Sequence, residues 1–471
     1  MSDAYDLFVI NLVKSVLFAV YPLAADAAEN KALETNAAAA ITTAALVGAV
    51  FGQLVFGTFA DYLGRRVIFI VTISVVIISA LGSATAFAKA GAGGGADYAA
   101  NAGVYYQLVF WRLLLGFGVG GEYPLSATIS SEAAGDARAR GRSIASVFAM
   151  QGVGNLLASL VMVACLSSGL PLDAVWRVAL ALGAAPGLLT VYWRYQMNES
   201  ERFLEVTAGA GGAGGKAEDM ALLAAEGGEA APGGGPARGS WARTLRTIYE
   251  FRWTLLGTAG SWLIFDIVFY GNGLFSSNVL SGIGYGSGSL DDLAKGNALI
   301  GLIGLPGYFV ALATIDRIGR RNIQLLGFAA TAVVFVALGV FLDPLEKSYS
   351  ALFVFLYGLT FFFANFGPNM STFVIPAEAF PTRAKATCHG ISAASGKIGA
   401  AIGSSAFPVL LAAFATNAQG VGAVLFVCAA LSVLGLVWTW FLTLETGDTD
   451  IAEMDSKNEA MLDEAHEAAQ R

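Results

Sequence analysis

Three polar side chains interrupt an apolar stretch in the second half of the chain: Trp262, Asp266 and Tyr270. They are spaced four residues apart, so on a helix they occupy one stripe of its surface. The stripe offers an indole N–H, a carboxyl and a phenol, which together can hold a small polar ligand. The two aromatic residues have an alternative explanation as side chains at a membrane interface.

Four further polar residues lie singly in other apolar segments: Tyr123, Gln151, Asn369 and Lys397. With the stripe they supply several hydrogen-bond donors and a positive charge, which a tetrahedral oxyanion requires. Each also has a simpler explanation by itself, since amides join helices in membranes and a lysine can extend to the surface. The combination favours an anion-binding site.

Three acidic residues of the first half also lie in apolar sequence: Asp3, Asp6 and Glu122. Asp3 and Asp6 are three residues apart and therefore share a helix face. Because a carboxylate in such surroundings is costly, we interpret the three as a proton pathway. The alternatives are an exposed N-terminal acid at Asp3 and a structural ion pair of Glu122 with Arg112 or Lys14. Lys14 would also provide a counter-charge on the helix that carries the two aspartates.

Asp266 has the same sign of charge as the anion that the surrounding donors would hold. Since like charges repel, a proton on Asp266 and a bound anion favour each other. An anion that keeps an O–H group can donate to the carboxylate, whereas sulfate cannot, a mismatch of about 1–3 kcal/mol. We therefore expect proton binding and anion binding to be linked at Asp266.

The composition is that of a membrane protein, with 56% hydrophobic and 13% charged residues and a mean hydropathy of +0.64. The net charge of −8 and the scattered basic residues do not suggest a nucleic-acid partner. Cys165, Cys388 and Cys428 lack the spacing of a disulfide framework or a metal site, and only His389 and His466 are available as histidines. We expect no metal, no cofactor and no enzyme.

About twelve runs are long and apolar enough to cross a bilayer. The predicted spans are 4–23, 38–60, 67–88, 104–132, 141–167, 174–196, 252–280, 297–315, 322–342, 349–376, 387–414 and 420–444. The first begins at an acidic run, so the sequence suggests that this span is truncated and shows no cleavable signal peptide.

The spans form an all-α membrane protein with two pseudo-symmetric six-helix bundles. The predicted divisions are a first bundle at 1–197, a flexible linker at 198–250, a second bundle at 251–444 and a tail at 445–471, either a short helix or disordered. Gly209–Gly215 and Gly227–Gly235 are the glycine-rich parts of the linker. Basic residues collect in the linker and the loops on its side, so both termini are predicted to be cytoplasmic.

Two short motifs that occur once in each half support an internal repeat of six spans. An Asp-x-x-Gly-Arg-Arg turn occurs after the second and the eighth spans, and a Glu followed by arginines occurs after the fourth and the tenth. We interpret these residues as a gate that closes the cytoplasmic side; as an alternative, the arginines are only topology signals at lipid head groups. The predicted gate residues are Asp61, Arg65, Arg66, Glu132, Asp316, Arg320, Arg321, Glu378 and Arg383.

The run Gly116–Glu132 resembles the GGDYPLSATI run of the phosphate:proton symporters, a family of the major facilitator superfamily, with Glu122 where that family usually has Asp. The resemblance extends from Asp3 to the twelfth span and includes runs 366–369 and 389–397. It implies inorganic phosphate as substrate, protons as the coupled ion and a plasma-membrane bilayer as the surroundings. The substrate residues it implies are Tyr123, Gln151, Trp262, Asp266, Tyr270 and Asn369, with Lys397 nearby.

Three functions stay open at this point. The first is a proton-coupled phosphate symporter, and the second is a sugar or organic-anion carrier with the same gates. The third is a receptor that binds phosphate and signals through its tail with little flux. Asp266 and Lys397 favour an inorganic anion over a sugar, because a sugar site would need more amides and fewer charges.

Overall fold

The computed structural model describes most of the chain, and the described residues are helical with no β-strand. The described residues are 1–88, 98–134, 137–201, 203–204, 240–274, 276, 279–280 and 289–470.

The first half forms seven helices. These are α1 (Ser2–Val20), α2 (Ala27–Leu63), α3 (Arg65–Ala84), α4 (Tyr98–Glu132), α5 (Ala137–Ser167), α6 (Leu172–Ala181) and α7 (Ala184–Gln196). The rest of the described chain adds α8 (Ser240–Glu250), α9 (Arg252–Leu274), α10 (Leu290–Ile318), α11 (Arg320–Val340), α12 (Leu342–Ser348), α13 (Ser350–Phe366), α14 (Pro368–Glu378), a 3-10 turn (Thr382–Ala384), α15 (Lys385–Ala412), α16 (Asn417–Leu442) and α17 (Ile451–Gln470).

Eleven helical segments of the described chain are long and apolar enough to cross a membrane. Helix α1 is the twelfth member of the set, although Asp3, Asp6 and Lys14 place three charged residues in its 19 residues. The expected twelve helices are therefore confirmed.

Two predicted spans are each divided into two helices. The span 174–196 breaks between α6 and α7, where Pro186 has no N–H to continue the ladder. The span 349–376 breaks between α13 and α14, where Pro368 follows Gly367. In both places a proline removes a backbone donor from the helix, which ends one segment and starts another.

The two halves meet along two related helix pairs, α2 with α15 and α5 with α10. These are the second and eleventh spans and the fifth and eighth spans, so each pair is the counterpart of the other under the internal repeat. The residues that line this interface are therefore contributed by both halves.

The ends of the predicted linker and tail are ordered helices. Helix α8 lies in the last part of the predicted linker, and Arg243 on it donates to Glu459 of α17. Thr247 donates to Asn458 on the same two helices. These contacts explain why this part of the linker is helical, and the tail is a helix rather than disordered. The two glycine-rich runs lie outside the described residues, and the divisions at 197, 250 and 444 stay predictions.

Candidate functional site

A buried ion pair lies on the facing surfaces of α9 and α15. Lys397 Nζ is 3.0 Å from Asp266 Oδ2 and donates to the Tyr270 hydroxyl at 2.9 Å. The lysine and aspartate side chains are each 2% exposed, so Lys397 does not extend to the surface. Asp266 and Tyr270 reach the same amine because they are one helical turn apart. We call these three residues the charged cluster.

A second polar group joins the two halves. Tyr308 of α10 donates its hydroxyl proton to Gln151 Oε1 of α5 at 3.2 Å. Asn369 of α14 donates to the same hydroxyl at 2.7 Å and to Asn365 Oδ1 at 2.8 Å. All four side chains are buried. We call Gln151, Tyr308 and Asn369 the amide cluster; Tyr308 was not predicted from the sequence.

Aromatic rings fill the space between the two clusters. Phe148 and Phe373 stack at 4.3 Å between centroids, and Tyr123 lies edge-on to both. Trp262 is 6.5 Å from Tyr123, centroid to centroid, and Lys397 Nζ is 5.1 Å from the centre of the Tyr123 ring. The sequence did not single out either phenylalanine.

The structure thus brings the seven predicted substrate residues into one buried region. Trp262 and Tyr270 are 2% and 1% exposed, so neither is a side chain at the membrane interface. Tyr123 and Gln151 come from the first half, and the other five come from the second. A ligand held here would contact both halves at once.

Glu122 is held in an ion pair whose partner was not predicted. Arg194 of α7 lies 2.7 Å from Glu122 Oε1, and the Thr72 hydroxyl donates to the same oxygen. Glu122 is thus in an ion pair, as the alternative interpretation supposed, but the partners suggested there, Arg112 and Lys14, are wrong. Packing of α7 against α3 brings Arg194 to α4, a contact between residues 72 positions apart that spacing along one helix does not reveal.

The α1 acids have a different environment from the one expected. Asp6 is buried at 1% exposure, and Arg112 donates to its backbone carbonyl at 2.6 Å. Lys14 donates instead to the Thr42 hydroxyl at 3.2 Å. Lys14 lies two helical turns beyond Asp6, about 12 Å along the axis, so its role as a counter-charge for the acids of α1 was wrong.

A cavity of 280 Å³ lies between α1, α4, α5 and α7. Asp3, Glu122, Tyr123, Gln151 and Arg194 contribute to its lining. Asp3 is partly buried there rather than fully exposed at the end of the chain. The cavity therefore connects two of the predicted proton-pathway acids with two of the predicted substrate residues.

One end of the bundles carries the predicted gate residues, and we call it the gate end. Arg65 is at the centre of its first network of ion pairs and hydrogen bonds. It lies 3.1 Å from Asp61 and 3.0 Å from Glu132, and it donates to the Thr382 carbonyl of the other half at 3.2 Å. Asp61 in turn accepts from the Thr387 N–H at 2.7 Å. These bonds hold the start of α15 against α2.

The second copy of the motif forms the matching network. Arg320 lies 3.0 Å from Glu378 and 3.2 Å from Asp316. Two arginines of α5 cross from the first half, with Arg142 at 3.1 Å from Asp316 and Arg140 at 3.5 Å from Glu378. The halves are therefore joined at the gate end by ion pairs in the second copy and by hydrogen bonds of Arg65 and Asp61 in the first.

Each Asp-x-x-Gly-Arg-Arg turn is completed by a glutamate from outside the motif. Gly64 and Gly319 have φ angles of 97° and 91°, a region that favours glycine and allows α2 and α10 to end abruptly. Glu199 accepts from the backbone N–H groups of the two arginines after Gly64, and Glu445 does the same after Gly319. These two glutamates were missed, although both follow the last apolar residues of a half.

Three predicted gate arginines do not contact the gate acids. Arg66 donates to a carbonyl oxygen of α7 at 2.8 Å, and Arg321 donates to one of α16 at 2.6 Å. Arg383 pairs with Glu459 of the tail helix at 2.8 Å. The two arginines of each motif are adjacent in sequence, so their side chains leave the helix in different directions. Only the first of each pair, Arg65 or Arg320, points inward.

In the described residues, no group of three or more His, Cys, Asp or Glu side chains is placed to hold a metal ion. The three cysteines are buried free thiols.

Comparison with known proteins adds the following similarities. Residues 2–457 match the family model described as "Sugar (and other) transporter". The inorganic phosphate transporter 1-6 of Oryza sativa subsp. japonica is 37% identical over 98% of this chain and 91% of its own length. The low affinity inorganic phosphate transporter 3 of Petunia hybrida is 37% identical over 97% of this chain and 90% of its own.

Among solved structures, the proton:xylose symporter XylE of the major facilitator superfamily has a TM-score of 0.72 at 21% identity, covering 97% of this chain and 96% of that one. The human organic anion transporter MFSD10 has a TM-score of 0.59 at 18% identity, covering 93% and 98%. At these identities the likeness shows the fold. Because the family model and the plant relatives each span nearly the whole chain, the protein belongs to the sugar (and other) transporter family of the major facilitator superfamily, alongside the plant inorganic phosphate transporters.

Proposed function

We propose that this protein is a proton-coupled inorganic phosphate symporter that works by alternating access. The observation that carries the proposal is the buried Asp266–Lys397 pair, which adjoins hydrogen-bonding side chains from both halves. The full-length similarity to transporters named for inorganic phosphate supports the choice of substrate.

The charges of the cluster explain why a proton should accompany the anion. When the site is empty, Asp266 and Lys397 neutralise each other. Dihydrogen phosphate adds one negative charge, and a proton on Asp266 restores neutrality. A net charge in a buried site costs several kcal/mol, so the empty site and the site with both ligands are the two favoured states. Transport of phosphate without its proton would pass through the disfavoured state.

Phosphate also fits the mixed chemistry of the site. Lys397 and the hydroxyls of Tyr123 and Tyr270 donate to anionic oxygens, while the Asp266 carboxyl offers an acceptor to a P–OH group. Sulfate near neutral pH has no O–H to give. A hydrogen-bonding group left unpaired in a buried site costs about 1–3 kcal/mol, which would favour phosphate.

The remaining acids of the first half complete the proposed proton pathway. Asp3 and Glu122 share the 280 Å³ cavity with Tyr123, and Asp6 lies one turn beyond Asp3 on α1. We assign Asp3, Asp6, Glu122 and Asp266 to proton movement. Glu122 would exchange its proton only when its pair with Arg194 opens.

The gate end is assigned to the cytoplasm, with the protein in the plasma membrane. In the closed gate, Asp61, Arg65, Glu132, Asp316, Arg320 and Glu378 form ion pairs. Opening requires the contacts between the halves to separate, which releases phosphate and its proton to that side. The termini and the linker lie on the same side in this assignment.

Uptake of labelled phosphate into proteoliposomes under an imposed pH gradient tests the function. We expect accumulation when the outside is acidic and little net uptake when the pH is equal on both sides. Competition by a sugar or an organic anion, without an effect of unlabelled phosphate, would indicate the second candidate function. Tight phosphate binding without flux in either direction would indicate a receptor.

A further inference from the structure

The side chains of the amide cluster belong to a chain of hydrogen bonds, and a backbone carbonyl at one end of the chain determines which atom of each bond is the donor. Asn365 Nδ2 donates to the Gly304 carbonyl oxygen at 3.0 Å. Because a carbonyl oxygen can only accept, this bond sets which end of the Asn365 amide carries the oxygen. That oxygen then accepts from Asn369 Nδ2 at 2.8 Å. The orientation of the Asn369 amide follows from that of Asn365.

The same direction continues through Tyr308 to the other half of the protein. Asn369 Nδ2 gives its second proton to the Tyr308 hydroxyl at 2.7 Å. The hydroxyl oxygen is thereby an acceptor, and its own proton is directed to Gln151 Oε1 at 3.2 Å. Tyr308 is 2% exposed, so water has little access to replace these bonds.

Two polar atoms are left over by this arrangement, and they have opposite character. Gln151 Nε2 is a donor and Asn369 Oδ1 is an acceptor. Within the described part of the chain, neither atom has a hydrogen-bond partner. Gln151 lies on the wall of the 280 Å³ cavity.

We propose that Tyr308 is a positioning residue that presents Gln151 as a donor and Asn369 as an acceptor to a protonated oxyanion, and so favours phosphate over sulfate. This inference rests on the proposed function. A phosphate carrying an O–H can satisfy both amides, because its anionic oxygen accepts from Gln151 and its hydroxyl donates to Asn369. Sulfate can satisfy only the first. Without Tyr308 the Gln151 amide is free to turn over, and the Asn369 amide keeps only its bond to Asn365, so the acceptor that sulfate cannot use is held by one bond instead of two.

The position of the Tyr308 ring is itself set by the other half of the protein. A Cβ atom added at Gly152, the neighbour of Gln151, would lie 2.5 Å from Tyr308 Cδ2. Only glycine allows the ring to approach this closely. A Gly152→Ala substitution should therefore displace the ring while keeping the hydroxyl, and it provides a second way to disturb the same contact.

The experiment uses the full chain in proteoliposomes and measures two constants for each variant: the KM for phosphate and the inhibition constant of sulfate against phosphate uptake. For Tyr308→Phe we expect the phosphate KM to rise roughly tenfold, the size of one lost hydrogen bond in a buried site. The sulfate constant should change by less than about twofold, because sulfate needs only the Gln151 N–H, which the freed amide can still turn toward it. The ratio of the sulfate inhibition constant to the phosphate KM should therefore fall.

Tyr357→Phe is the matched control. Tyr357 is also a buried tyrosine that donates to an asparagine side chain, Asn272 Oδ1 at 2.6 Å, but both residues lie in the second half and outside the site. We expect its phosphate and sulfate constants to equal those of the parent. If the ratio of the sulfate inhibition constant to the phosphate KM is the same in Tyr308→Phe as in Tyr357→Phe, Tyr308 is not a positioning residue for phosphate.

A double-mutant comparison separates positioning from a general loss of packing. Adding Tyr308→Phe to Asn369→Ala should raise the phosphate KM by clearly less than tenfold further, because the acceptor that Tyr308 orients is already gone and only its bond to Gln151 remains to be lost. A full additional loss would contradict the proposal. If Tyr308→Phe does not fold, Gly152→Ala is measured in the same way with the same expected fall in the ratio. Absence of phosphate uptake by the parent would instead refute the proposed function.

Discussion

Arg194 Nη1 lies 2.7 Å from Glu122 Oε1, an ion pair that joins the last turn of α7 to the middle of α4. The guanidinium also lies over the Phe69 ring at 3.7 Å. Arg194 is 17% exposed and Glu122 is 6% exposed as side chains, so water screens the pair only weakly. The carboxylate that interrupts the apolar fourth span is thus compensated by a charge from the end of the sixth.

Neutralising Glu122 should destabilise the protein, because it leaves the Arg194 charge without its partner. Breaking a buried pair from one side costs about 3–5 kcal/mol, so we expect Glu122→Gln to lower the melting temperature by about 5 °C or more. Glu122→Asp keeps the charge but withdraws it by one methylene, and its loss should be smaller. Thermal unfolding in detergent measures both.

The control for this prediction is the double variant Glu122→Gln with Arg194→Gln, in which no charge is left unpaired. Its melting temperature should return most of the way to that of the parent. A double variant as unstable as Glu122→Gln alone would show that packing, and not the unpaired charge, causes the loss.

Asp266→Asn should separate phosphate binding from proton coupling. Asparagine has nearly the size of aspartate and resembles its protonated form, so the loaded site stays neutral without a transported proton. We expect phosphate exchange across the membrane to persist, while accumulation driven by a pH difference falls to near background. We expect Lys397 to keep its bond to the Tyr270 hydroxyl, because that bond does not use the Asp266 carboxylate.

Counterflow measures phosphate exchange, and uptake under a pH gradient measures accumulation, both on the same proteoliposomes. Undiminished concentration of phosphate by Asp266→Asn under a pH gradient would move the coupling role to another acid. Asp6 and Glu122 would then be the next residues to substitute.

Residue spacing was sufficient to predict contacts within one helix. Trp262, Asp266 and Tyr270 share a stripe because their spacing matches the helical period, and the structure buries all three. Contacts between distant helices could not be derived in this way. Tyr308 stands alone in an apolar span, and only the approach of α5 and α14 to α10 gives its hydroxyl two amide partners.

The helix breaks could have been predicted more fully. Pro186 and Pro368 are visible in the sequence, and each removes a backbone donor where a predicted span is divided. The helix over 240–250 also has a signal in the sequence, because Trp241, Leu245 and Ile248 recur at helical spacing, and the structure joins this helix to α17.

Asp61→Asn should weaken closure of the gate end. Asp61 accepts from the backbone of α15 in the other half and pairs with Arg65, and the substitution removes the charge that both bonds use. A cysteine introduced at Ser131 can report opening, because Ser131 is 3% exposed and its hydroxyl donates to the Ala377 carbonyl across the interface at 2.9 Å. With the native cysteines replaced, we expect labelling by a water-soluble maleimide to increase roughly tenfold.

Asp343→Asn provides the comparison, since Asp343 also forms a pair four residues away, with Lys347, but at 75% exposure. It should leave the labelling rate unchanged. Equal labelling of the Asp61 and Asp343 variants, together with unchanged transport, would remove Asp61 from the gate.

The tail helix should also stabilise the closed gate, through the 3-10 turn that contains Thr382. Asp455 of α17 accepts from the Thr382 N–H at 2.7 Å and from its hydroxyl at 2.8 Å, while Arg65 of the first half binds the carbonyl of the same residue. The turn is therefore held from two sides. Asp455→Ala removes one of them, and loss of hydrogen bonds to a carboxylate is worth about 1.5–3 kcal/mol each.

We expect Asp455→Ala to raise the labelling of the cysteine at position 131 by at least about tenfold, a change equivalent to 1.4 kcal/mol. Asp463→Ala is the matched control on the same helix, because Asp463 is 64% exposed and pairs with Arg243 of α8 rather than with the gate. Its labelling rate should equal that of the parent. If both variants increase labelling equally, docking of α17 as a whole matters, and the bond to Thr382 has no separate effect. If neither does, the contacts between the halves made by Arg65, Arg140 and Arg142 close the gate without help from the tail.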